Sequence, residues 1–271
     1  MSFIQENNIT LNLGLNKEYK LIHISDVHAI TYNDFDSKEV IDEALKAEDL
    51  WYRQRIWFAN KANEYCDESQ MIPSKECLFS LIDYINIKKP AAAILSGDII
   101  DYYSSSNYKM LLEATKKIEV PYLFSCGNHE TPTERFEEIT KNHLGFSLLH
   151  FDEFKIVSLN NSSKCISLET LNCFKKELED NKPTIVVMHI PIATKFNQEE
   201  MKKYDPYFVI YENETDDITK EFIDILINNT NVKAILCGHV HGHNESYFAP
   251  NKMQLCASSG LIGLVNIVTI K

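Results

Sequence analysis

Five short apolar runs along the chain each stop at a chemically active polar residue. Leu21-Ile-His-Ile-Ser25 leads into Asp26-Val27-His28, and Ala91-Ala-Ala-Ile-Leu-Ser96 leads into Gly97-Asp98-Ile-Ile-Asp101. Pro121-Tyr-Leu-Phe-Ser-Cys126 leads into Gly127-Asn128-His129-Glu130, Thr184-Ile-Val-Val-Met188 into His189, and Val232-Lys-Ala-Ile-Leu-Cys237 into Gly238-His239-Val240-His241. Apolar runs of this length without clean alternation predict strands covered on both faces. Carboxylate, amide and imidazole groups at the mouths of such strands are costly unless they bind something. The repeated design predicts five strands of one sheet delivering ligands to one edge.

The remaining pattern fills in around these runs. Residues 1–19 are polar with weak alternation at Ile9-Thr-Leu-Asn-Leu13, which predicts an edge strand. Glu76 to Ile87 predicts a crossover helix with Leu78, Leu81, Ile82 and Ile85 on one stripe. Helices are also expected over 106–118, 132–142 and 216–229, and Ser167 caps one containing Leu168, Leu171, Phe174 and Leu178. Further strands are expected at 146–151, 155–160, 245–249, 253–258 and 264–270. No period organises 196–217, which carries Tyr204, Tyr207, Phe208 and Tyr211 between two motifs and predicts a loop bordering a pocket. No repeat or linker splits the chain, so a single domain over 1–271 is expected.

Residues 31–75 exceed what a strand-to-strand crossover requires and predict a helical insertion. Within it, 36–65 reads as a long helix whose Ile41, Leu45, Tyr52, Ile56 and Ala59 fall within about 60° of one another at 100° per residue. Arg53 and Trp57 project from the opposite side. Either the insertion is a lid, with Arg53 meeting phosphate and Trp57 stacking on a ring, or it is a surface helix with a second packing face. The second reading assumes less.

Composition narrows the partners. The formal net charge is -12, from 27 basic and 39 acidic residues, which disfavours an extended nucleic-acid contact. A small anionic substrate is still allowed where bound cations set the local sign. No signal peptide or membrane-spanning run stands out, so a cytoplasmic location without membrane attachment is the default expectation. Seven scattered cysteines without a Cys-x-x-Cys pair read as reduced core thiols.

Seven candidate metal ligands emerge: Asp26, His28, Asp98, Asn128, His189, His239 and His241. Imidazole, carboxylate and amide donors without thiolate suit manganese, iron or zinc. Seven donors exceed one tetrahedral ion, so two divalent ions are the natural count. If Asp98 bridges them, each has four protein ligands and open positions for a shared water. Two dications against two aspartates leave about +2 of formal charge, which favours a phosphoryl dianion.

In their order and content these motifs resemble the calcineurin-like metallophosphoesterases, and the resemblance covers most of the chain. It implies an α/β fold, a four-layer α/β/β/α sandwich of two mixed sheets with the metal site at the strand C-terminal ends. It implies that Asp26, His28, Asp98 and His241 hold one ion while Asp98, Asn128, His189 and His239 hold the other. His129 then touches the substrate phosphate and protonates or stabilises the leaving oxygen, oriented by Asp101. The implied activity is a dinuclear metal-dependent hydrolysis of a small-molecule phosphomonoester or phosphodiester by attack of a metal-bridging hydroxide. A non-catalytic metal-binding scaffold of the same fold and a nuclease are the competing classes.

Other polar residues have plainer readings. Asp101 could instead cap a helix near Ser104–Ser106. His23 reads as a satisfied core histidine, while His143 and His150 lie outside any motif. His243 is either support for His241 or a loop residue, Glu130 either supports the site or starts a helix, and Arg135 reads as an exposed helix residue.

Overall fold

The buried apolar runs form two mixed sheets lying face to face, seen in a computed structural model that describes residues 4–62 and 71–271. In chain order, β1 (Gln5–Leu11) and β2 (Tyr19–Ile24) precede α1 (Lys38–Ala62) and α2 (Ser74–Lys88), followed by β3 (Ala92–Leu95), α3 (Ser105–Lys116) and β4 (Tyr122–Phe124). Next come α4 (Glu137–Thr140), β5 (Ser147–His150), β6 (Lys155–Ser158), α5 (Leu168–Glu177), β7 (Thr184–Val187), β8 (Ile192–Ala193), α6 (Gln198–Met201) and β9 (Ile210–Tyr211). The chain then runs through α7 (Asp217–Asn228), β10 (Val232–Cys237), β11 (Asn244–Ala249), β12 (Lys252–Cys256) and β13 (Leu264–Ile270).

One sheet has the order β1-β13-β2-β3-β4 and the other β11-β12-β10-β7-β6-β5. The five motif-bearing strands therefore do not share a sheet, as the apolar runs alone had suggested. β2, β3 and β4 run parallel in the first, while β7 and β10 run parallel in the second. Each strand is covered on both faces, so its run carries no mark of which sheet it joins.

Alternation within the strands builds the layers. Leu21, Ala92 and Ile94 of the first sheet meet Ile185, Val187, Ala234 and Leu236 of the second in a central layer. Ile22, Ile24, Ala93 and Leu95 belong to an outer layer with Leu78, Leu81 and Ile85 of α2 and Leu111 of α3. Val186, Ile235 and Cys237 join Leu171 and Phe174 of α5 and Phe222 and Leu226 of α7 in the other. Burying each large apolar side chain contributes roughly 1.5–3 kcal/mol, and the product is the four-layer α/β/β/α arrangement. Helix starts are set by side chains that take an otherwise orphaned N–H: Ser104 accepts from Asn107, Ser167 from Thr170, and Asp216 from Ile218 and Thr219.

Several expectations need correction. In α1 the buried positions are Ala44, Trp51 and Arg55, while Leu45 and Tyr52 are exposed, so the inward face lies about one residue away from the expected stripe. Arg53 and Trp57 do point outward, and Arg53 pairs with Asp49. The side chains of Ile56 and Ala59, positions 63–65 and Cys66 lie outside the described residues. The helix expected over 132–142 is a 3-10 turn at Thr133–Phe136 followed by one α-helical turn. The stretch 196–217 is loop for most of its length but contains α6, a 3-10 turn at Pro206–Phe208 and β9, which pairs with β8. Cys77, Cys126, Cys237 and Cys256 are buried free thiols as expected, whereas Cys165 is exposed.

Candidate metal centre

The loops that leave the five motif strands are stitched together by their main chains. Asp26 N–H donates to Gly97 O at 3.0 Å and His28 N–H to Asp98 O at 2.9 Å, which carries the β2–β3 pairing into the motifs. Gly238 N–H donates to His189 O at 2.9 Å in the second sheet. His239 N–H joins the sheets by donating to the Asp26 carboxylate, 2.9 Å from Oδ2.

This route requires an unusual backbone. Asp26, His28, Asp98, His239 and His241, five of the seven ligand candidates, have positive φ between 48° and 68°. Such conformations cost roughly 1–3 kcal/mol each in non-glycine residues and persist where the surroundings over-determine them, as at binding sites.

All seven candidates converge. His28 Nε2 lies 3.1 Å from His241 Nε2 and 3.9 Å from Asp98 Oδ2, and His241 Nε2 lies 3.3 Å from Asp26 Oδ1. On the other side of Asp98, His189 Nε2 lies 3.1 Å from Asp98 Oδ2, 3.1 Å from His239 Nδ1 and 3.2 Å from Asn128 Oδ1. Donor atoms of Asp26, His28, Asp98 and His241 fall within 4.8 Å of one another, as do those of Asp98, His189 and His239. Asp98 belongs to both groups.

The chemistry of these donors suits a pair of cations. Outer partners fix the imidazoles: His189 Nδ1 donates to Ser96 O at 2.7 Å and His28 Nδ1 to Asp101 Oδ1 at 3.1 Å. Their Nε2 atoms are then lone pairs facing carboxylates and other ring nitrogens, an arrangement favoured by an intervening cation. The protonation energetics report the same potential. Burial opposes charge on His189, but the Asp98 carboxylate outweighs it and holds the imidazole up at about 9. Burial and the neighbouring His189 push His239 down to about 3, and among the described residues its Nε2 has no hydrogen-bond partner.

The profile of the calcineurin-like phosphoesterases matches residues 19–243, most of the chain and every motif described above. The chain belongs to that family. This calcineurin-like phosphoesterase is 30% identical over 184 residues to a probable glycerophosphodiester phosphodiesterase GpdQ of Arcobacter nitrofigilis, covering 61% of this chain and 63% of that one. It is 28% identical over 160 residues to a probable cyclic nucleotide phosphodiesterase of Coxiella burnetii, covering 54% and 58%. The match thus spans about three fifths of each curated relative's length. In fold it resembles a dimetal phosphatase from Danio rerio, with TM-score 0.59, 11% identity and coverage of 90% and 88%. It also resembles purple acid phosphatase PPD1 of yellow lupin, Lupinus luteus, with TM-score 0.50, 11% identity and coverage of 92% and 45%.

Beside the ligand set, His129 is half-buried, with Nδ1 donating to Asp101 O and lying 3.3 Å from Asp101 Oδ1. Burial opposes its charge, but the Asp101 hydrogen bond and the Asp98 field raise the metal-free imidazole to about 10. Asp101 is not the cap of α3, a role taken by Ser104, and it serves His28 as well as His129. Asp101, Tyr102, Tyr103, Asn128, His129, Thr131 and Arg135 line a cavity of about 350 Å³. Arg135 is exposed, as expected, yet its guanidinium carbon sits 4.3 Å from the Tyr103 ring centroid at that cavity. Across the centre, Phe208 and Tyr207 place ring centroids 5.1 and 5.8 Å from that of His239, so the aromatic loop does border the site.

Three supporting residues were missed or left open by the sequence. Glu130 is fully buried, and its carboxylate accepts N–H groups from Asp98, Ile99, Ile100 and Gly127 at 2.7–3.0 Å, which moulds the loop carrying Asp98. Asn161 Oδ1 accepts from His189 and Ile190 N–H, both at 3.0 Å, and braces the loop after β7. Trp51 of α1 donates its indole N–H to Asp101 Oδ1 at 2.7 Å. The sequence signals for the first two are slight, Glu130 closing the Gly127-Asn128-His129-Glu130 motif and Asn161 following the run at 155–160, and Trp51 lay off the expected stripe. His23 lies in the core with Nε2 2.7 Å from Ser96 Oγ, but its buried Nδ1 has no hydrogen-bond partner among the described residues, so the expected satisfied histidine is only half satisfied, and His243 Nε2 lies 3.0 Å from Glu245. His143 lies beside Glu169 at the surface, and His150 is exposed.

Proposed function

We propose that this protein is a dinuclear metal-dependent phosphoesterase that hydrolyses a phosphomonoester or phosphodiester of a small molecule. The observation that carries the reading is Asp98, whose carboxylate stands between two imidazole-rich donor groups. Asp26, His28, Asp98 and His241 would hold one divalent ion, and Asp98, Asn128, His189 and His239 the other. Such ions supply Lewis acidity that lowers the pKa of a water and offsets charge on phosphoryl oxygens.

The chain's own residues do the rest. His129, with Nδ1 tied to Asp101 O, turns Nε2 toward the centre, 4.0 Å from Asp98 Oδ2. From there it hydrogen-bonds a phosphoryl or ester oxygen and delivers a proton to the departing alkoxide. Asp101 favours the charged imidazole and fixes its tautomer. The cavity lined by Tyr103, Thr131 and Arg135 receives the organic part of the ester.

The names of the curated relatives favour a diester, and the acidic composition favours a small molecule over nucleic acid. Manganese, iron and zinc all suit the donors. No helix among the described residues is long and apolar enough to cross a membrane, and we assign the protein to the cytoplasm. The test is turnover of p-nitrophenyl phosphate and of bis(p-nitrophenyl) phosphate by protein loaded in turn with Mn²⁺, Fe²⁺ and Zn²⁺. Activity on at least one ester is expected; none with any ion would remove the assignment.

A further inference from the structure

The inserted helix α1 does not stand apart from the centre. Trp51 is only 8% exposed, and its indole stacks on the His28 ring with centroids 3.9 Å apart and planes 24° from parallel. Its N–H donates to Asp101 Oδ1, the oxygen that also accepts from His28 Nδ1 and lies 3.3 Å from His129 Nδ1. Asp101 thus meets three ring N–H groups, those of His28 and Trp51 on Oδ1 and that of His129 on its main-chain O, from a candidate ligand, the insertion and a candidate acid.

The helix that supplies the indole is itself anchored. Ala44 and Trp51 pack with Ile30 and Leu261. Glu48 accepts from Ser74 N–H at 2.8 Å and from the Ser74 hydroxyl. The buried Arg55 guanidinium donates to Ile72 O at 2.6 Å. Burying a guanidinium in this way is a costly device to hold a helix that only covered surface.

We propose that Trp51 is a positioning residue of the phosphoesterase reaction, acting through Asp101 on His28 and His129. The indole N–H fixes the Asp101 carboxylate rotamer, and the stacked ring excludes water from the side of that carboxylate facing α1, which strengthens its hold on both imidazoles. The inserted helix is accordingly a component of the catalytic centre, through a face other than that of Arg53 and Trp57. The inference rests on the two-metal reading above.

The chain has two tryptophans, so Trp57→Phe leaves Trp51 as its only indole. Titration of that variant with Zn²⁺ is expected to shift Trp51 emission saturably, in step with metal content measured after desalting. Trp51→Phe keeps a ring to stack on His28 but lacks the N–H. It is expected to bind two metals and melt near wild type, while kcat falls about tenfold and KM stays within about threefold. A Trp51→Ala variant, which also loses the stack, should fall further. Two bound metals, unmoved Trp51 emission and wild-type kcat in both variants would overturn the role of Trp51 alone. A kcat loss that merely tracks lost metal would also overturn it, by making Trp51 a structural support. Absence of metal uptake by the wild-type protein would instead remove the two-metal reading beneath it.

Discussion

Gly127 and Asp98 occupy a space that has no room for one more carbon. A Cβ on Gly127 would lie 2.1 Å from Asp98 Oδ1 and 2.5 Å from Asp98 N, far inside van der Waals contact and partly against backbone. The same crowding recurs at Gly238, where a Cβ would lie 1.8 Å from Ser25 Oγ and 2.5 Å from Asp26 Oδ2. These two glycines are close-approach positions that allow carboxylates from separate strands to meet. Gly127→Ala must displace Asp98, the residue common to both donor groups. Its bound metal is expected to drop from two per chain to one or fewer, with at least a tenfold loss of kcat/KM. Elemental analysis of desalted protein beside steady-state kinetics checks this, and full metal content in the variant would contradict it.

His129 is expected to matter in proportion to how badly the leaving group needs a proton. His129→Ala should lower kcat on an alkyl phosphoester by roughly 10²- to 10⁴-fold. p-Nitrophenolate departs as a stable anion, so the loss on the corresponding aryl ester should be much smaller. Metal content should not change, because His129 Nδ1 is engaged with Asp101 and Nε2 lies 4.0 Å from Asp98. Rates on the two esters distinguish the roles: equal losses would assign His129 to phosphate binding instead of proton delivery.

Much of this centre was legible because its cause is local. An apolar run covered on both faces makes a polar residue at its mouth conspicuous, so the seven candidate donors that the structure brings together stood out by residue type and spacing. Caps such as Ser167 were legible for the same reason, since the hydroxyl and the N–H it serves lie three residues apart. What stayed hidden depends on distant geometry. The strands β3 and β7 have similar apolar runs yet lie in different sheets, because sheet membership is decided by packing partners elsewhere in the chain. Glu130 and Asn161 act by accepting main-chain N–H groups, and no periodicity marks an acceptor of that kind. In α1, Ile41, Leu45 and Tyr52 made the more apolar stripe, but the buried face carries Trp51 and Arg55, whose partners Asp101 and Ile72 O lie elsewhere in the chain.

Removing metal should loosen the fold as well as stop turnover. Without cations, the buried Asp26, Asp98, His28, His189, His239 and His241 must share protons and face one another at 3.1–3.9 Å. A ligand present at 100 times its Kd stabilises the native state by about 2.7 kcal/mol. For a chain of this size that corresponds to a melting shift of roughly 5–10 °C. Chelation by EDTA is expected to lower Tm by that order and abolish hydrolysis, and both should return on adding Mn²⁺ or Zn²⁺. Scanning calorimetry on the chelated and reloaded protein reads the first, and an unchanged Tm would show that the ions do not bind the native state preferentially.

Far from the centre, Asp216 offers a test of helix capping with a definite pH signature. Its carboxylate accepts from the Thr219 hydroxyl, from Thr219 N–H at 3.0 Å and from Ile218 N–H at 3.0 Å at the start of α7. Those bonds, led by the Thr219 hydroxyl, hold its pKa down at about 2. A carboxyl depressed in the folded state stabilises above its unfolded pKa of about 3.9, and that contribution is lost as pH falls through about 2. Asp216 is solvent-exposed, so screening keeps the effect near that of an ordinary cap, about 1 kcal/mol. Asp216→Ala is therefore expected to lower the urea midpoint relative to wild type at pH 7 and pH 5 alike. Between about pH 4 and pH 2 the gap should close, because the wild-type carboxyl then protonates and accepts less strongly. Acid also releases metal, but it does so from both proteins, so the difference between them isolates the cap. A gap that stays constant down to pH 2 would mean that the substitution acts through packing at Thr219 and not through the charge on Asp216.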